Sequence, residues 1–412
     1  MSQLFNILLM LVLPVLILGY LLGYFKAASG IKRGETFHST PSYCGWYAVV
    51  WMLWPTVLIL LASCFLHLFG IFTVPAPYLI TALIIGFGSL FIARAKITPE
   101  LHAYHFVEKF IYVILVSAAI VSVLTTVGIL LSVLFESIRF FKQVSVWEFI
   151  TGTQWSPDTA FLGSAGRGGE QIAKPEFGSL PLFAGTFMIT LIAMLVAIPV
   201  GLLSAIAMAE YSALPVRRIA KPALEILAGI PTVVYGFFAA VTVSPLVVQA
   251  AAEFNIEADY TNALAPGLVM GIMIIPLISS LCDDVIMAVP QSLKGGSYAL
   301  GATHAETIKK VLLPAALPGI VSAFLLAVSR AVGETMIVVM AAGLRPNLTW
   351  NPLEGMTTVT VSIVDSLTGD QSFDSAATLS AFALGLVLLI FTLCLNIVSA
   401  IIIRKFRNQY TD

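Results

Sequence analysis

Residues 282–319 read CDDVIMAVPQSLKGGSYALGATHAETIKKVLLPAALPG, a long polar stretch set between apolar runs. Helical pattern lies on both sides of a glycine, so Ser297–Ala302 and Ala305–Leu313 read as two short helices hinged near Gly301. Glu306 precedes Lys309 and Lys310 by three and four residues, which supports one helix face. Pro314 and Pro318 predict that this helix stops before the chain turns back into an apolar run. A rigid projection from a membrane face fits this pattern, and so does a solvated connector with ordinary capping.

Outward from this stretch the chain is overwhelmingly apolar. Its 412 residues are 59% hydrophobic and 10% charged, with a mean hydropathy of +0.97. A soluble globular domain carries about 25% charge, so most of this surface faces lipid. That excludes a nucleic-acid binder, a secreted disulfide scaffold and a disordered linker. Cys44, Cys64, Cys282 and Cys394 are widely spaced beside apolar runs and read as small hydrophobes. The first apolar run follows Met-Ser-Gln, has no basic flank and exceeds a signal-peptide core, so it reads as a retained span.

A span needs about 20 mostly apolar residues, and nine runs qualify: Leu4–Phe25, Trp46–Phe69, Tyr78–Ala93, Phe110–Leu134, Phe183–Ala209, Ala223–Val247, Ala265–Leu281, Pro318–Gly343 and Thr378–Ile403. With the N-terminus outside, fifteen of the 21 Lys and Arg residues fall on inner segments, five on outer segments, and Arg330 within a span. This follows the positive-inside rule and puts the C-terminus inside. The expected architecture is an all-α membrane protein. Residues 1–109 form a three-span N-terminal extension, with Trp46, Trp51 and Trp54 near an interface. Residues 110–412 form a six-span core with an outer segment at 136–181 and an inner segment at 282–317. In the outer segment Phe141, Val144, Trp147 and Ile150 recur at helical spacing, predicting an amphipathic helix on the outer leaflet. The following GSAGRGGE (Gly163–Glu170) reads as a flexible loop.

Polar residues inside spans are sparse. Arg330 lies at the centre of its expected span, where an ionised Arg costs roughly 2.5–3.5 kcal/mol. Glu334, one helical turn on, is placed to pair with it. Such an intramembrane cation is a candidate functional residue; in a permease that carried an oxyanion it would offset desolvation of the anion and offer several fixed donors, and Thr335 would add a hydroxyl. Glu334 would repel an anion, so its expected role is to position Arg330 or act as a gate. The competing reading is a structural ion pair. Glu225 with Lys221, and Asp283 with Asp284 as helix caps, read as structural. His102 and His105 lack the ligands to complete a metal site. Pro199, Pro231 and Pro276 are expected to loosen helices at bundle depth. No Gly-Lys-Ser/Thr phosphate loop, zinc signature or catalytic triad occurs in the chain.

Gly301, nine residues, Val311 and then Leu312-Leu313-Pro314 resembles the "EAA" loop of ABC-importer permeases, although the chain carries Gly295-Gly296-Ser297 where that family often has Glu-Ala-Ala. LEILAGIPTVVYGFFA (Leu224–Ala239) and SRAVGETMIVVMAAG (Ser329–Gly343) are similar to permeases of the phosphate importer, and FITGTQWSPD (Phe149–Asp158) to its PstC-type subunit. The resemblance covers about residues 110–405 and implies a type I permease core. It also implies that Gly301, Ala302, Thr303, Glu306, Val311, Leu313 and Pro314 couple to a separate ATPase. The pathway would carry Arg330, Glu334 and Thr335. The chain would hold no cofactor, with ATP and Mg on the partner ATPase, and would not itself be an enzyme. Partners would be a PstA-type permease, PstB-type ATPases and a periplasmic PstS-type phosphate-binding protein, in a bacterial inner membrane. Sulfate and molybdate permeases, which typically read Gly-Glu-Phe where this chain has Gly333-Glu334-Thr335, are the nearest alternative. An ion-coupled secondary transporter leaves the inner projection unexplained, and a membrane enzyme lacks a catalytic group.

Overall fold

The computed structural model describes residues 2–68, 76–157, 176–368 and 375–407; side chains of residues 2–15, 60–68, 76–83, 403 and 405–407 fall outside the description. The loop at 163–170, and with it Arg167, lies outside the described residues, as does Lys174. The chain forms two compact units, residues 1–128 and 129–412.

The N-terminal unit contains α1 (Ser2–Lys32), α2 (Pro41–Leu68), α3 (Ala76–Lys96) and the first part of α4 (Ala103–Phe141). Its core gathers Cys44, Ala48, Leu90, Ala93, Ile97 and Val107. Pro55 lies inside α2 and has no N–H to offer the Trp51 carbonyl. The Ser89 hydroxyl of α3 meets that carbonyl at 2.9 Å while also touching Gly86 O of its own helix at 2.6 Å. A neighbouring helix thereby satisfies a backbone group that lipid could not. α1 ends in Lys32 and α3 in Arg94 and Lys96, which favourably face the negative ends of their helix dipoles.

The second unit is built on α6 (Leu180–Ile206) packed along α10 (Leu264–Met287). Small residues let the two backbones approach. A Cβ on Gly271 would stand 3.0 Å from Ala193 O, and one on Gly201 would stand 2.8 Å from Ile278 Cγ2. Around this pair run α7 (Leu214–Gly229), α8 (Thr232–Phe238), α9 (Ser244–Glu253), α11 (Gln291–Ala299), α12 (His304–Thr307), α13 (Leu313–Val332), α14 (Met336–Ala341), α15 (Val359–Thr368) and α16 (Ala376–Arg407). Three π-helical turns, Ala207–Tyr211, Ala239–Val243 and Ile308–Leu312, interrupt the α-geometry.

Among the described residues, seven helical segments are long and apolar enough to cross a membrane: Pro41–Ile59, Ala103–Phe141, Leu180–Tyr211, Thr232–Glu253, Leu264–Met287, His304–Val332 and Ala376–Ile402. The expected spans Leu4–Phe25 and Tyr78–Ala93 fall within α1 and α3, where many side chains lie outside the described residues. Three expectations change. The run Ala223–Val247 is not one helix: Ile230 and Pro231 are extended (ψ 129° and 136°), so α7 ends and α8 begins there. The cause is local, since a residue before proline avoids helical ψ. The helix after the Gly301 stretch does not stop at Pro314 or Pro318. Pro314 sits in the first turn of α13, after the π turn, and Pro318 is carried inside the helix. That helix ends instead at Val332, so the expected span to Gly343 is broken at Gly333.

The expected surface helix over Phe141–Ile150 is also different. α4 runs through Phe141, and only the short α5 (Val146–Thr151) follows. Phe140, Phe149, Trp155 and Phe177 pack edge-on with ring centroids 5.3–6.4 Å apart. A two-stranded pair, β1 (Trp155–Ser156) antiparallel to β2 (Glu176–Phe177), closes this aromatic cluster. The aromatic residues there turn inward to one another, while Trp147 remains exposed.

Candidate functional site

The stretch around Gly301 is a rigid helix–turn–helix. α11 closes with Gly301 N–H on Tyr298 O at 2.9 Å and Ala302 N–H on Ser297 O at 3.2 Å. These two bonds define a Schellman cap, whose C′ residue must be left-handed; Gly301 has φ +81°. Thr303 then starts α12 with a capping box. Its Oγ1 accepts the Glu306 N–H at 3.3 Å, and Glu306 Oε2 accepts the Thr303 N–H at 3.0 Å. Lys310 reaches Glu306 Oε1 at 3.4 Å, the expected pair four residues apart. A buried Ser297–Thr307 hydroxyl contact of 2.9 Å joins α11 to α12. Leu312 is fully buried, with Val311 and Leu313 half-buried beside it, and Ala302 is half-exposed above them. At the tip Leu300 is 90% exposed, accompanied by the exposed Leu293 and Tyr298.

Sequence reasoning missed what fastens this projection. Glu210, in the π turn after α6, is nearly buried and pairs with Lys294 of α11 and with His304 Nε2 at 3.6 Å. The Tyr211 ring packs edge-on against His304 at 4.8 Å. The usable signal was a lone carboxylate at the end of one span and a lone Lys in the facing loop.

α7 is held to α10 by charge. Asp283 is fully buried; Arg217 Nη2 approaches its Oδ2 at 2.8 Å and Oδ1 at 3.1 Å, and Lys221 Nζ its Oδ2 at 3.2 Å. Lys221 also meets Asp284 at 3.3 Å. Asp283 and Asp284 therefore anchor α7 rather than cap a helix, and Lys221 pairs with them rather than with Glu225. Bonding to the Asp283 carboxylate pushes the Lys221 ammonium above its ordinary value, so it stays charged.

A cavity of about 290 Å3 opens between α7, α10 and the end of α13. Lys221, Glu225, Met273, Pro276, Ser280 and Arg330 line it. Arg330 is not in the middle of a continuous helix. It occupies the last turn of α13, where a cation also suits the helix dipole. Among the described residues no ion pair joins it to Glu334. The helix has ended before Glu334, so the turn that would have paired them does not exist. Glu334 is buried, and its Oε1 accepts the Met336 N–H at 3.1 Å while its carbonyl accepts the Thr360 hydroxyl at 2.9 Å. Thr335 turns its hydroxyl to Gly333 O at 3.4 Å. Of the three expected pathway residues only Arg330 lines the cavity. Its companions there are Lys221, Ser280 and the carboxylate of Glu225.

Among the described residues no group of three or more His, Cys, Asp or Glu is placed to hold a metal. His102 stacks on His38 at 3.9 Å.

A family described as "Binding-protein-dependent transport system inner membrane component" matches residues 197–408, and one described as "Phosphate ATP-binding cassette transporter" matches residues 7–74. The chain is 33% identical over 279 residues to the "Probable ABC transporter permease protein YqgH" of Bacillus subtilis, covering 67% of this chain and 84% of that protein. It is 33% identical over 282 residues to "Phosphate transport system permease protein PstC 1" of Mycobacterium tuberculosis, covering 62% and 81%. It is 29% identical to the "Phosphate transport system permease protein PstC" of Xylella fastidiosa strain 9a5c, covering 73% and 92%. A solved structure of the MetNI methionine ABC transporter aligns at 19% identity and a TM-score of 0.40, covering 56% of this chain and 94% of that one. With a match spanning half its length, over the helices that carry the Gly301 projection and the Arg330 cavity, the chain belongs to the family of binding-protein-dependent transport system inner membrane components.

Proposed function

We propose that this chain is the PstC-type permease subunit of an ATP-driven phosphate importer. The observation that carries the reading is Arg330, an exposed guanidinium without an ion-pair partner among the described residues, lining a cavity between α7, α10 and α13. A tetrahedral oxyanion shed of water needs donors in fixed directions, which a guanidinium supplies. Arg330 is the cation of the cavity free to meet an anion, since Lys221 is engaged by Asp283 and Asp284, and Ser280 adds a hydroxyl. Glu334 and Thr335 act behind Arg330, holding the end of α13 rather than touching the anion.

The Gly301 projection is the proposed docking piece for a separate ATPase. Its exposed Leu293, Tyr298 and Leu300 offer an apolar contact, and its fastening through Glu210 gives a rigid route from partner to α6. ATP and Mg would be bound by that PstB-type ATPase, and this chain would bind no cofactor. A PstA-type second permease and a periplasmic PstS-type phosphate-binding protein complete the assembly. The complex sits in a bacterial inner membrane with this chain's N-terminus outside and C-terminus inside. Residues 1–109 extend a six-span core at 110–412. The test is competition: phosphate uptake by membrane vesicles should need internal ATP and be inhibited by unlabelled phosphate, while sulfate and molybdate in tenfold excess leave it intact. Inhibition by sulfate or molybdate equal to that by phosphate would refute the substrate.

A further inference from the structure

The N-terminal unit holds a cavity of about 520 Å3 lined wholly by its own residues. That volume is in the range of small-molecule sites. Its walls are almost entirely apolar: Trp51, Trp54 and Pro55 of α2 face Phe110 and Val113 of α4. On α4, Lys109 stands one turn before Val113, so one helix face offers a cation followed by an apolar wall.

Lys109 is the one charged residue among those lining the cavity; Lys96 stands outside the lining, over the ring of Trp51. Lys96 Nζ lies 4.4 Å from the centre of the Trp51 ring, a cation–π contact. Among the described residues neither Lys96 nor Lys109 forms an ion pair. Lys32, Arg94 and Lys96 gather at the C-terminal ends of α1 and α3, so the same end of the unit is basic.

We propose that this cavity holds one anionic phospholipid, its phosphate at Lys96 and Lys109 and an acyl chain along Trp54, Phe110 and Val113. A cationic mouth on an apolar groove is complementary to an amphiphile with an anionic head. A free anion would leave the apolar walls empty, and a zwitterionic lipid would bring its own cation against the lysines. The site gives a task to a unit lying outside the 197–408 transport-family match: it ties the permease to anionic lipid.

Native mass spectrometry tests this on the full-length chain, extracted in mild detergent with whatever subunits accompany it. Delipidated protein is titrated with phosphatidylglycerol, with phosphatidylcholine of the same chains, and with glycerol phosphate. One phosphatidylglycerol should bind more tightly than either other probe. Lys96→Gln with Lys109→Gln should weaken it roughly tenfold or more, since each basic residue near an anionic headgroup contributes comparably. Phosphatidylcholine should be unaffected, and the double Arg variant should bind like wild type. Equal binding of the two lipids, indifference to the double Gln change, or glycerol phosphate binding as tightly as the lipid would overturn the proposal. Because the readout is lipid retention, its failure is separate from any failure of phosphate transport.

Discussion

At the residue scale, Gly301 is fixed by backbone geometry rather than by crowding. A Cβ there would meet nothing within 4 Å, but φ is +81°. A β-branched residue in that region costs about 1–2 kcal/mol, whereas Asn tolerates it. Gly301→Val should therefore reduce co-purification of the ATPase and ATP-driven uptake together, and Gly301→Asn should retain most of both. The Asp283 cluster makes a second prediction. Removing a fully buried carboxylate strands Arg217 and Lys221, and breaking such a pair costs 3–5 kcal/mol when both ions are buried. Here the cations are 22% and 34% exposed, so the expected loss for Asp283→Ala is smaller, about 2 kcal/mol. Thermal unfolding of the purified complex should show it, and Arg217→Gln added to Asp283→Asn should recover part of it. The sequence made Gly301 legible through its spacing to Leu313-Pro314. It made Asp283 only half legible, because ion-pair partners 66 residues apart leave no local mark.

At the scale of elements, composition was enough to find helices, and it failed where a helix must end inside an apolar run. Ile230-Pro231 and Gly333 break spans that hydropathy alone would continue; at Ile230 the following proline disfavours helical ψ, whereas Gly333 keeps an ordinary φ of −87°. Pro276 and Pro318 did not break theirs, since packing against neighbouring helices can absorb one lost bond. The three π turns had no sequence signature at all. One of them, at 207–211, contains Glu210, and another, at 308–312, begins four residues after its partner His304. Glu210→Gln should loosen the projection from α6 while leaving the α6–α10 core folded. ATP hydrolysis by the assembled complex would then continue with phosphate uptake per ATP reduced; unchanged stoichiometry would show that the fastening does not transmit force. In the core, Gly271→Leu should cost about 1–3 kcal/mol by forcing α6 and α10 apart, read as lower yield of folded protein.

At the scale of the molecule, the two compact units divide at residues 128 and 129, inside the range of α4. The apolar composition foretold a multi-span helical protein. What composition could not supply was which polar residues share a cavity. Arg330 and Glu334 are one turn apart in an ideal helix, and the end of α13 at Val332 sends them to different neighbours. The candidate site is thus drawn from α7, α10 and α13, three elements distant in sequence. The measurement that tests this most directly is phosphate uptake by liposomes containing the assembled complex, wild type against Arg330→Gln. The account predicts wild-type uptake that requires ATP on the ATPase side, and a fall of roughly tenfold or more in the variant with assembly unchanged, the scale of losing hydrogen bonds to a charged group. Full uptake by an assembled Arg330→Gln complex, or uptake by the wild type without ATP, would contradict it.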